Sequence, residues 1–540
     1  MDEGIAVAIA PQQIAASSLP DTSSKTTHSR VGFVVFGLVL VTGLLYAGSQ
    51  LAHDLSRVHT LTAWPYLLLG LALVIALGFE FVNGFHDTAN AVATVIYTNS
   101  LEPQVAVVWS GIWNLIGVLT SSGAVAFSIL SLLPVQLVLH VDKGAGFAMV
   151  FALLIAAILW NLGTWWFGLP ASSSHTLIGS IIGVGIANQL LSARSGISGV
   201  DWDQARTVFK VLLISPLVGF GLAAVLLLVL KFAVRNPALY EAPKGTEPPP
   251  FWIRCLLILT CTGVSFGHGS NDGQKGMGLI MLILIGTVPT AYALNHAIGY
   301  DKVQDFAAVS QQSVRVLDHY APAQADSPDP RATLTGYIRN RALTPDTFPA
   351  LRQMIEQIEG EVVTYKTLAN VPAGQQQNVR NDMYIASESL RLVMKSDHAG
   401  INAADSEVLA NYRHYLDNST KYIPTWVKVA VALALSLGTM VGWKRIVVTI
   451  GEKIGKEHMT YAQGAAAGVV AAATIIGADN FHMPVSTTHV LSSGVAGSMS
   501  ANGSGLQMTT IRHIAMAWVF TLPAAALLAG SLFWLMRQFL

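Results

Sequence analysis

Residues 168–179 read GLPASSSHTLIG and place a proline, three consecutive hydroxyl side chains and a histidine inside an otherwise apolar stretch of the chain. The same pattern recurs at residues 482–493, which read HMPVSTTHVLSS. Polar groups in the hydrocarbon of a membrane are costly unless they are satisfied within the protein or by a ligand. The recurrence therefore predicts either two similar binding sites or one site built by two related halves.

The composition around these motifs is that of a membrane protein. Only 11% of the 540 residues are charged and 52% are hydrophobic, whereas a soluble protein carries roughly 25% charged residues. A run of about 20 apolar residues spans a bilayer, so we predict an all-α polytopic membrane protein with about 10–12 membrane segments. The clearest segments are 31–51, 64–82, 104–122, 146–166, 207–230, 252–266, 276–294, 425–443, 461–478 and 512–536. The net charge of zero gives no indication of a nucleic-acid partner.

A second pair of motifs recurs in the same order as the first. Residues 83–93 (NGFHDTANAVA) align with 268–278 (HGSNDGQKGMG) when Asp87 is laid on Asp272. The distance along the chain to the following hydroxyl motif is longer in the second half, and a polar stretch at 299–423 accounts for nearly all of the difference. This order predicts two homologous halves, a feature typical of inverted-repeat secondary transporters with discontinuous helices and re-entrant hairpins.

Composition also predicts the boundaries of the units. The start of the chain lacks a basic region and is rich in Ser, Thr, Ala and Pro, which favours a tail without fixed structure. The polar stretch carries apolar residues at helical spacing, which favours a small soluble helical insertion. The predicted units are a disordered tail (1–30), an extra transmembrane helix and loop (31–63), membrane repeat 1 (64–234), a polar linker (235–251), the first part of membrane repeat 2 (252–298), the soluble insertion (299–423) and the remainder of repeat 2 (424–540).

Asp87 and Asp272 are the first candidate functional residues, because apolar sequence on both sides places each at membrane depth. A carboxylate there needs a cavity and a cation or proton as its partner. Glycines adjoin both residues, including Gly84 and Gly269, and we expect them to let the helix unwind so that backbone carbonyls become cation ligands.

The hydroxyl motifs predict an anion site. Pro170 and Pro484 favour the first turn of a helix, and a helix N-terminus offers N–H groups and the positive end of the dipole to an anion. A dianion such as hydrogen phosphate cannot lie against two bare carboxylates at low dielectric, so a cation or proton must bind with it. That requirement couples the two ligands and predicts symport.

Three other functions remain open at this point. Sulfate is a second tetrahedral oxyanion that could occupy the site. An intramembrane hydrolase could use Ser174 with His175 or His489, although adjacency in sequence argues little for a dyad. A phosphate-sensing receptor would need the 299–423 insertion as its output domain. Four histidines in four separate motifs do not have the spacing of a permanent metal site, and no cofactor is indicated.

The four motifs resemble the two signature blocks of the PiT family of inorganic phosphate transporters, and most closely its bacterial low-affinity members. The resemblance covers 64–298 and 420–540. It implies that the protein is a transporter and not an enzyme, and that it lies in a bacterial inner membrane as a homodimer. It also implies that the hydroxyl motifs bind phosphate. The phosphate-binding residues it implies are Ser172, Ser173, Ser174, Ser486, Thr487 and Thr488. The coupling residues it implies are Asp87, Asp272 and Asn90, with Asn83, Asn271 and Gln274 as neighbours.

Two departures from the family pattern bear on the coupling ion. His86 and Lys275 both stand where the family has asparagine. An ammonium group at the second position disfavours a second sodium ion, and a titratable histidine beside Asp87 favours protons. We therefore predict proton-coupled phosphate symport, with a neutral divalent metal–phosphate complex as a further form of the substrate. The alternative is a sodium-coupled phosphate or sulfate permease.

Overall fold

The computed structural model describes residues 26–56, 64–132, 144–191, 199–321 and 326–539, and within these ranges the chain is helical. Nineteen α-helices and three short 3-10 turns are joined by loops, and the only β-bridge in these ranges is an isolated one between Gly455 and Leu506. The predicted all-α class is thereby confirmed for the described part of the chain.

The helices follow one another in two sets, one around each pair of motifs. The first set is α1 (Thr26–Leu55), α2 (Trp64–Tyr97), α3 (Pro103–Thr120), α4 (Ala124–Leu130), α5 (Gly144–Trp166), α6 (Ser173–Leu191) and α7 (Trp202–Ala233). The second set is α8 (Phe251–Thr287), α9 (Pro289–Tyr292), α10 (Tyr300–Tyr320), α11 (Pro330–Asn340), α12 (Thr347–Tyr365), α13 (Ala373–Lys395), α14 (Ala403–Thr420), α15 (Thr425–Thr439), α16 (Lys444–Glu452), α17 (Tyr461–Asn480), α18 (Thr487–Asn502) and α19 (Met508–Met536).

Nine of the described helices are long and apolar enough to cross a membrane. They are α1, α2, α3, α5, α6, α7, α8, α17 and α19. Helices α14 and α15 meet at an angle of 74° and would make a tenth span if they crossed together. The described ranges therefore reach only the lower end of the predicted number of segments.

Helix α8 corrects the prediction of two separate segments at 252–266 and 276–294. It runs unbroken for 37 residues, which at 1.5 Å per residue is about 55 Å, well beyond the roughly 30 Å of hydrocarbon in a bilayer. The polar motif between the two apolar segments continues the helix because, within a membrane, an interrupted backbone would leave N–H and C=O groups unsatisfied. Asp272 consequently lies inside a helix.

The prediction that glycines unwind the chain at the two carboxylates is also wrong. Both α2 and α8 are continuous through Asp87 and Asp272. The glycines instead allow close helix packing: a Cβ at Gly84 would lie 2.1 Å from the carbonyl oxygen of Leu435, and one at Gly269 would lie 2.2 Å from that of Asn114. The backbone carbonyls near the carboxylates therefore remain in helical hydrogen bonds.

The breaks in helical structure lie before the hydroxyl motifs. Residues 167–172 separate α5 from α6, and residues 481–486 separate α17 from α18. Each helix packs against the one that follows its break. The predicted re-entrant path of these hairpins in a membrane stays a prediction.

The packing of the helices repeats between the two sets with the partners exchanged. Helix α3 packs against α8 as α15 packs against α2, and α4 contacts α8 as α16 contacts α2. Helix α6 packs against α19 as α18 packs against α7. Each set thus completes the other, so the two pairs of motifs face a common centre. The inversion of one half relative to the other stays a prediction.

Helices α10–α14 form the 299–423 segment and contact the start of membrane helix α7 through partly buried ion pairs. Asp201, the cap of α7, lies 2.5 Å from Arg341 and 3.6 Å from Arg391. Arg391 in turn pairs with Glu388 at 2.7 Å. Burial would raise the pKa of Glu388, but the charges of Arg391 and Lys421 outweigh it and hold this pKa below its ordinary value. The segment is therefore anchored at the start of α7 by ionised groups.

Helix α1 lies at the periphery of the bundle. It packs on α15, where the side chain of Leu433 lies against Gly43, and presents Phe33 and Leu45 outward. The helix begins at Thr26, so residues 26–30 belong to it and not to the predicted tail. The remainder of that predicted tail and the loop at 57–63 lie outside the described residues.

Candidate functional site

Four helices bring the four motifs together at one point. Asp87 lies in α2 and Asp272 in α8, and Ser173 at the start of α6 reaches towards both: its Oγ is 2.5 Å from Asp87 Oδ2 and 3.5 Å from Asp272 Oδ2. Thr488, in the first turn of α18, donates a hydrogen bond to Asp87 Oδ1 at 2.7 Å. Carboxylates and hydroxyl motifs from both halves of the chain therefore belong to a single cluster.

The first hydroxyl of each motif caps a helix. Ser172 Oγ accepts a hydrogen bond from the N–H of His175 at 3.3 Å, and Ser486 Oγ accepts one from the N–H of His489 at 3.2 Å. This is the usual geometry of an N-cap. The helices begin at the next residue, so the motif prolines precede the first turn in which we predicted them. The helix starts nevertheless lie beside the carboxylates, with their N–H groups available to an anion.

Asp87 has partners on three helices. His86 Nδ1 lies 2.9 Å from Asp87 Oδ1, and His86 Nε2 lies 3.1 Å from Thr164 Oγ1 on α5. Asn90 Nδ2 donates at 2.9 Å to Thr488 Oγ1, the same hydroxyl that donates to Asp87. His86 thus joins the carboxylate to α5, and Asn90 orients the hydroxyl that binds it.

Asp272 has a fixed positive charge as its partner. Lys275 Nζ lies 2.6 Å from Asp272 Oδ1 and also donates to Ser174 Oγ. Ser174 Oγ donates in turn to the carbonyl oxygen of Val485 at 3.1 Å. His268 Nε2 is 3.6 Å from the second carboxylate oxygen. The carboxylate of Asp272 is therefore neutralised within the protein, whereas Asp87 relies on hydroxyl groups and a histidine.

The two halves differ in how they hold the third hydroxyl of the opposite motif. Asn90 binds Thr488, and Lys275, at the corresponding position of the second half, binds Ser174. The hydrogen bonds are equivalent, but the second carries a charge. A small cation could also be shared at the centre, because donor atoms of Asp87, His268 and Asp272 lie within 4.8 Å of one another.

Asn271 and Gln274, predicted as neighbours of the coupling residues, bind the loop before α18 and its surroundings. Asn271 donates to the carbonyl oxygen of Met483 at 3.0 Å and accepts from the N–H of Val485 at 3.3 Å. Gln274 Nε2 donates to Asp479 Oδ1 at 2.6 Å. Asn271 therefore fixes the loop that carries the second hydroxyl motif, whereas Gln274 joins α8 to the end of α17. Neither side chain bonds to an aspartate of the cluster.

Two further predicted residues, Thr487 and Asn83, are buried at the site without a bond to its carboxylates. Thr487 Oγ1 makes no hydrogen bond in the described ranges. Asn83, one turn before Asp87 on α2, makes none to Asp87 or Asp272. A buried hydroxyl without a partner is unusual in a protein, so Thr487 has a donor to spare for a ligand.

The motif histidines form a stack beside the cluster. The rings of His175 and His489 are 4.4 Å apart, and the ring of His489 is 4.2 Å from that of Trp518. His175 Nδ1 and His489 Nε2 make no hydrogen bond in the described part of the chain. These histidines therefore pack the two helix starts against each other and do not bond to the aspartates.

The whole cluster is closed to solvent. None of the predicted phosphate and coupling side chains is more than 3% exposed. The cluster is therefore closed to water in this conformation.

Sequence reasoning missed several side chains that contact the predicted ones. His268 lies near Asp272, Thr164 binds His86, and Asp479 binds both Gln274 and Ser270. His268 stands four residues before Asp272, so a helical interpretation of that motif would have found it. Thr164 and Asp479 come from helices whose approach to the site only the packing reveals.

The model of the phosphate transporter family matches residues 83–529, which include all four motifs and the residues of the cluster. The chain belongs to the phosphate transporter family. Membership confirms the resemblance on which the site was predicted. It also makes the chain a transporter and not the intramembrane hydrolase considered as an alternative.

Individual members of the phosphate transporter family match over nearly the whole chain. The low-affinity inorganic phosphate transporter PitA of Escherichia coli (strain K12) is 45% identical over 491 residues, covering 88% of this chain and 97% of the relative. PitB of the same strain is 43% identical, covering 87% and 97%. A probable low-affinity inorganic phosphate transporter of Bacillus subtilis (strain 168) is 27% identical, covering 87% and 98%.

A solved structure described as the sodium-dependent phosphate transporter is also similar, with a TM-score of 0.48 and 19% identity over 88% of this chain and 100% of its own. Within the phosphate transporter family the chain is a multi-pass membrane protein whose relatives are bacterial. This confirms the predicted location in a bacterial membrane.

Proposed function

We propose that this family member is a symporter that carries inorganic phosphate into the cell together with protons. Inorganic phosphate is the substrate named for its relatives. The observation that carries the choice of protons is the ion pair of Lys275 with Asp272, at 2.6 Å. An ammonium group bonded to one oxygen of this carboxylate places a positive charge beside it, which disfavours a sodium ion there.

The coupling proton belongs to the pair of His86 and Asp87. With Asp272 neutralised by Lys275, Asp87 is the remaining negative charge against which a phosphate dianion would have to lie. A proton on Asp87 or on the adjacent His86 removes that repulsion. Thr164 keeps the imidazole in place by its bond to Nε2.

The phosphate lies between the two helix starts in this proposal. Ser173, Ser174, Thr487 and Thr488 provide hydroxyl donors from both halves, and the first turns of α6 and α18 add backbone N–H groups. Ser172 and Ser486 contribute as caps that hold those N–H groups in place. The hydroxyls that bind Asp87 turn to phosphate once Asp87 is neutral, because a protonated carboxyl group accepts more weakly.

Hydrogen phosphate fits this site better than sulfate, because it can donate a hydrogen bond to a carboxylate whereas sulfate only accepts. A neutral divalent metal–phosphate complex is a further form of the substrate, since neutrality lowers the cost of entering a buried site. The homodimer implied by the family resemblance stays a prediction.

Uptake of labelled phosphate into proteoliposomes under imposed gradients tests the function. We expect uptake to follow a proton gradient that is acid outside and to be indifferent to a sodium gradient at constant pH. Excess unlabelled sulfate should leave the rate unchanged. Uptake that follows sodium and ignores pH would contradict the proposal and favour the sodium-coupled alternative.

The unpartnered hydroxyl of Thr487 supplies a separate prediction for phosphate binding. Replacing it by valine removes one donor to the anion, so we expect phosphate affinity to fall roughly tenfold to a hundredfold, the effect of one hydrogen bond to a charged group. The unfolding temperature should change little, because the hydroxyl makes no bond in the described ranges. Titration of the purified protein with phosphate measures the affinity, and a thermal melt of the same preparation measures the unfolding temperature.

The matched control is Thr207→Val. That hydroxyl is exposed on α7 and binds only a carbonyl of its own helix, Asp203 O at 2.9 Å. The Thr207→Val variant should leave phosphate affinity unchanged. An unaltered affinity in the Thr487 variant would remove this residue from the phosphate site.

A further inference from the structure

Glu80 is a fully buried carboxyl group halfway along α2 that the proposed site does not use. It is 0% exposed, and neither oxygen has a partner at hydrogen-bonding geometry in the described part of the chain. Asn83, one turn further on, is the polar side chain beside it. An ionised carboxylate without partners is among the most costly groups to bury. In this closed conformation the Glu80 side chain is therefore best accommodated as the neutral acid.

The side chain lies against α8 at a glycine. A Cβ at Gly276 would be 2.3 Å from Glu80 Cγ and 2.4 Å from both Cδ and Oε1. The absence of a side chain at Gly276 thus provides the space in which the carboxyl group sits. Opening of the transport site requires the helices around it to move, and such a movement would expose this contact to water.

The charged groups within electrostatic range of Glu80 are few. Asp272 and Lys275 face it from α8, and Asp87 lies on its own helix. The nitrogen of Lys275 is already bonded to Asp272 and Ser174. Of the other helices that contact α2, α3 and α5 contain no titratable residue, and α15 contains only Lys428, which donates to the carbonyl oxygen of Ser121. The remaining helices in contact with α2 carry His175 (α6), Lys444, Arg445 and Glu452 (α16), Tyr461 and Asp479 (α17) and His489 (α18).

Internal repetition argues against a purely structural role for this carboxyl group. The position that corresponds to Glu80 in the second half is Ser265, which shares a hydrogen bond of 2.8 Å with Ser110. The repeated fold is thus built there with a neutral, bonded side chain. Glu80 and Lys275 are both ionisable side chains at positions where the other half has a neutral one, and they lie within electrostatic range of each other.

We infer that Glu80 is a second proton-binding site of the transport cycle, protonated in the closed conformation and ionised when the site opens to the cell interior. Its O–H bond breaks on that opening and the proton passes to water; the bond re-forms with a proton from water when the site opens outward. The inference rests on the proposed proton-coupled function and adds one proton per phosphate to it.

The test is the plateau of phosphate accumulation in proteoliposomes carrying the full chain, as wild type and as Glu80→Gln. Glutamine imitates the neutral acid but cannot release a proton. Losing one proton per cycle lowers the accumulation ratio about tenfold at a pH difference of about one unit. We expect this loss, while exchange of internal for external labelled phosphate, which needs no net proton movement, is retained.

Two controls make the result specific. Glu102→Gln makes the same chemical change at an exposed carboxyl group before α3 and should leave the plateau unchanged. Gly276→Ala places a Cβ in the space that Glu80 occupies, whereas Gly78→Ala on α2 meets no atom within 4 Å. Only the first of these two alanine variants should lower the plateau.

An unchanged plateau in Glu80→Gln overturns the inference, and so does the loss of both exchange and uptake in a folded variant. If the glutamine variant does not fold, Glu80→Asp replaces it: a displaced carboxyl group should shift the pH dependence of net uptake and not that of exchange, and an unshifted dependence overturns the inference. Wild-type uptake that ignores pH would instead refute the proposed proton coupling itself.

Discussion

Replacing Asp87 by asparagine should abolish proton-driven phosphate uptake. The carboxylate accepts hydrogen bonds from Ser173 and Thr488 and adjoins His86, at 2.5, 2.7 and 2.9 Å. Asparagine cannot take up and release the proposed coupling proton, and it loses two charge-assisted bonds that are worth about 1.5–3 kcal/mol each. We expect the rate of uptake into proteoliposomes to fall by at least about a hundredfold.

The Asp272→Asn variant should be equally inactive for a different reason. It leaves the ammonium group of Lys275 buried with Ser174 as its remaining partner, so the phosphate would meet an altered charge balance and not a lost proton site. Asp203→Asn is the matched control, because this aspartate is 70% exposed at the start of α7. Substantial proton-driven uptake in either buried variant, with folding intact, would contradict the proposed mechanism.

Replacing Lys275 by asparagine, the residue found at the corresponding position 90, should change the ion on which the protein depends. Removing one partner of a buried ion pair costs about 3–5 kcal/mol, because the other charge is left uncompensated. A sodium ion at Asp272 would relieve that cost. We expect proton-driven uptake to fall at least about tenfold, and the unfolding temperature of the variant to rise when sodium replaces choline in the buffer.

Lys244→Asn is the control for this substitution, since Lys244 pairs with Glu241 on the surface and is 84% exposed. Its unfolding temperature should not distinguish sodium from choline. A Lys275 variant that keeps full proton-driven uptake and shows no response to sodium would mean that the ammonium group does not select the coupling ion.

The sequence alone predicts the membrane class, the two halves and the four motifs, and there is a physical reason for this. A bilayer accepts only apolar helices, so polar residues that recur inside such helices stand out against their surroundings. Asp87, Asp272 and the hydroxyl motifs were therefore predictable, and the structure gathers them into one cluster. The family resemblance depends on the same residues.

The prediction that the helices unwind at the two aspartates failed because a glycine is compatible with two different local structures. Glycines beside Asp87 and Asp272 could unwind a helix or let another backbone approach it, and the structure uses Gly84 and Gly269 in the second way. The motif prolines were expected in the first turn, but hydroxyl side chains provide the caps in front of α6 and α18. Local sequence does not decide between such alternatives, since neighbouring helices supply the deciding contacts.

The sequence by itself determined which residues are candidates for the chemistry, whereas only the tertiary structure decided which of them contact each other. Lys275 could have paired with any acid in the membrane, and its bonds to Asp272 and Ser174 depend on how α8 meets α6. The carboxyl group of Glu80 lies against Gly276 because of the way α2 packs on α8. Hydropathy and residue spacing indicate how deep in the membrane a side chain lies. The neighbours that the side chain contacts depend on the packing of helices that are more than a hundred residues apart in the chain.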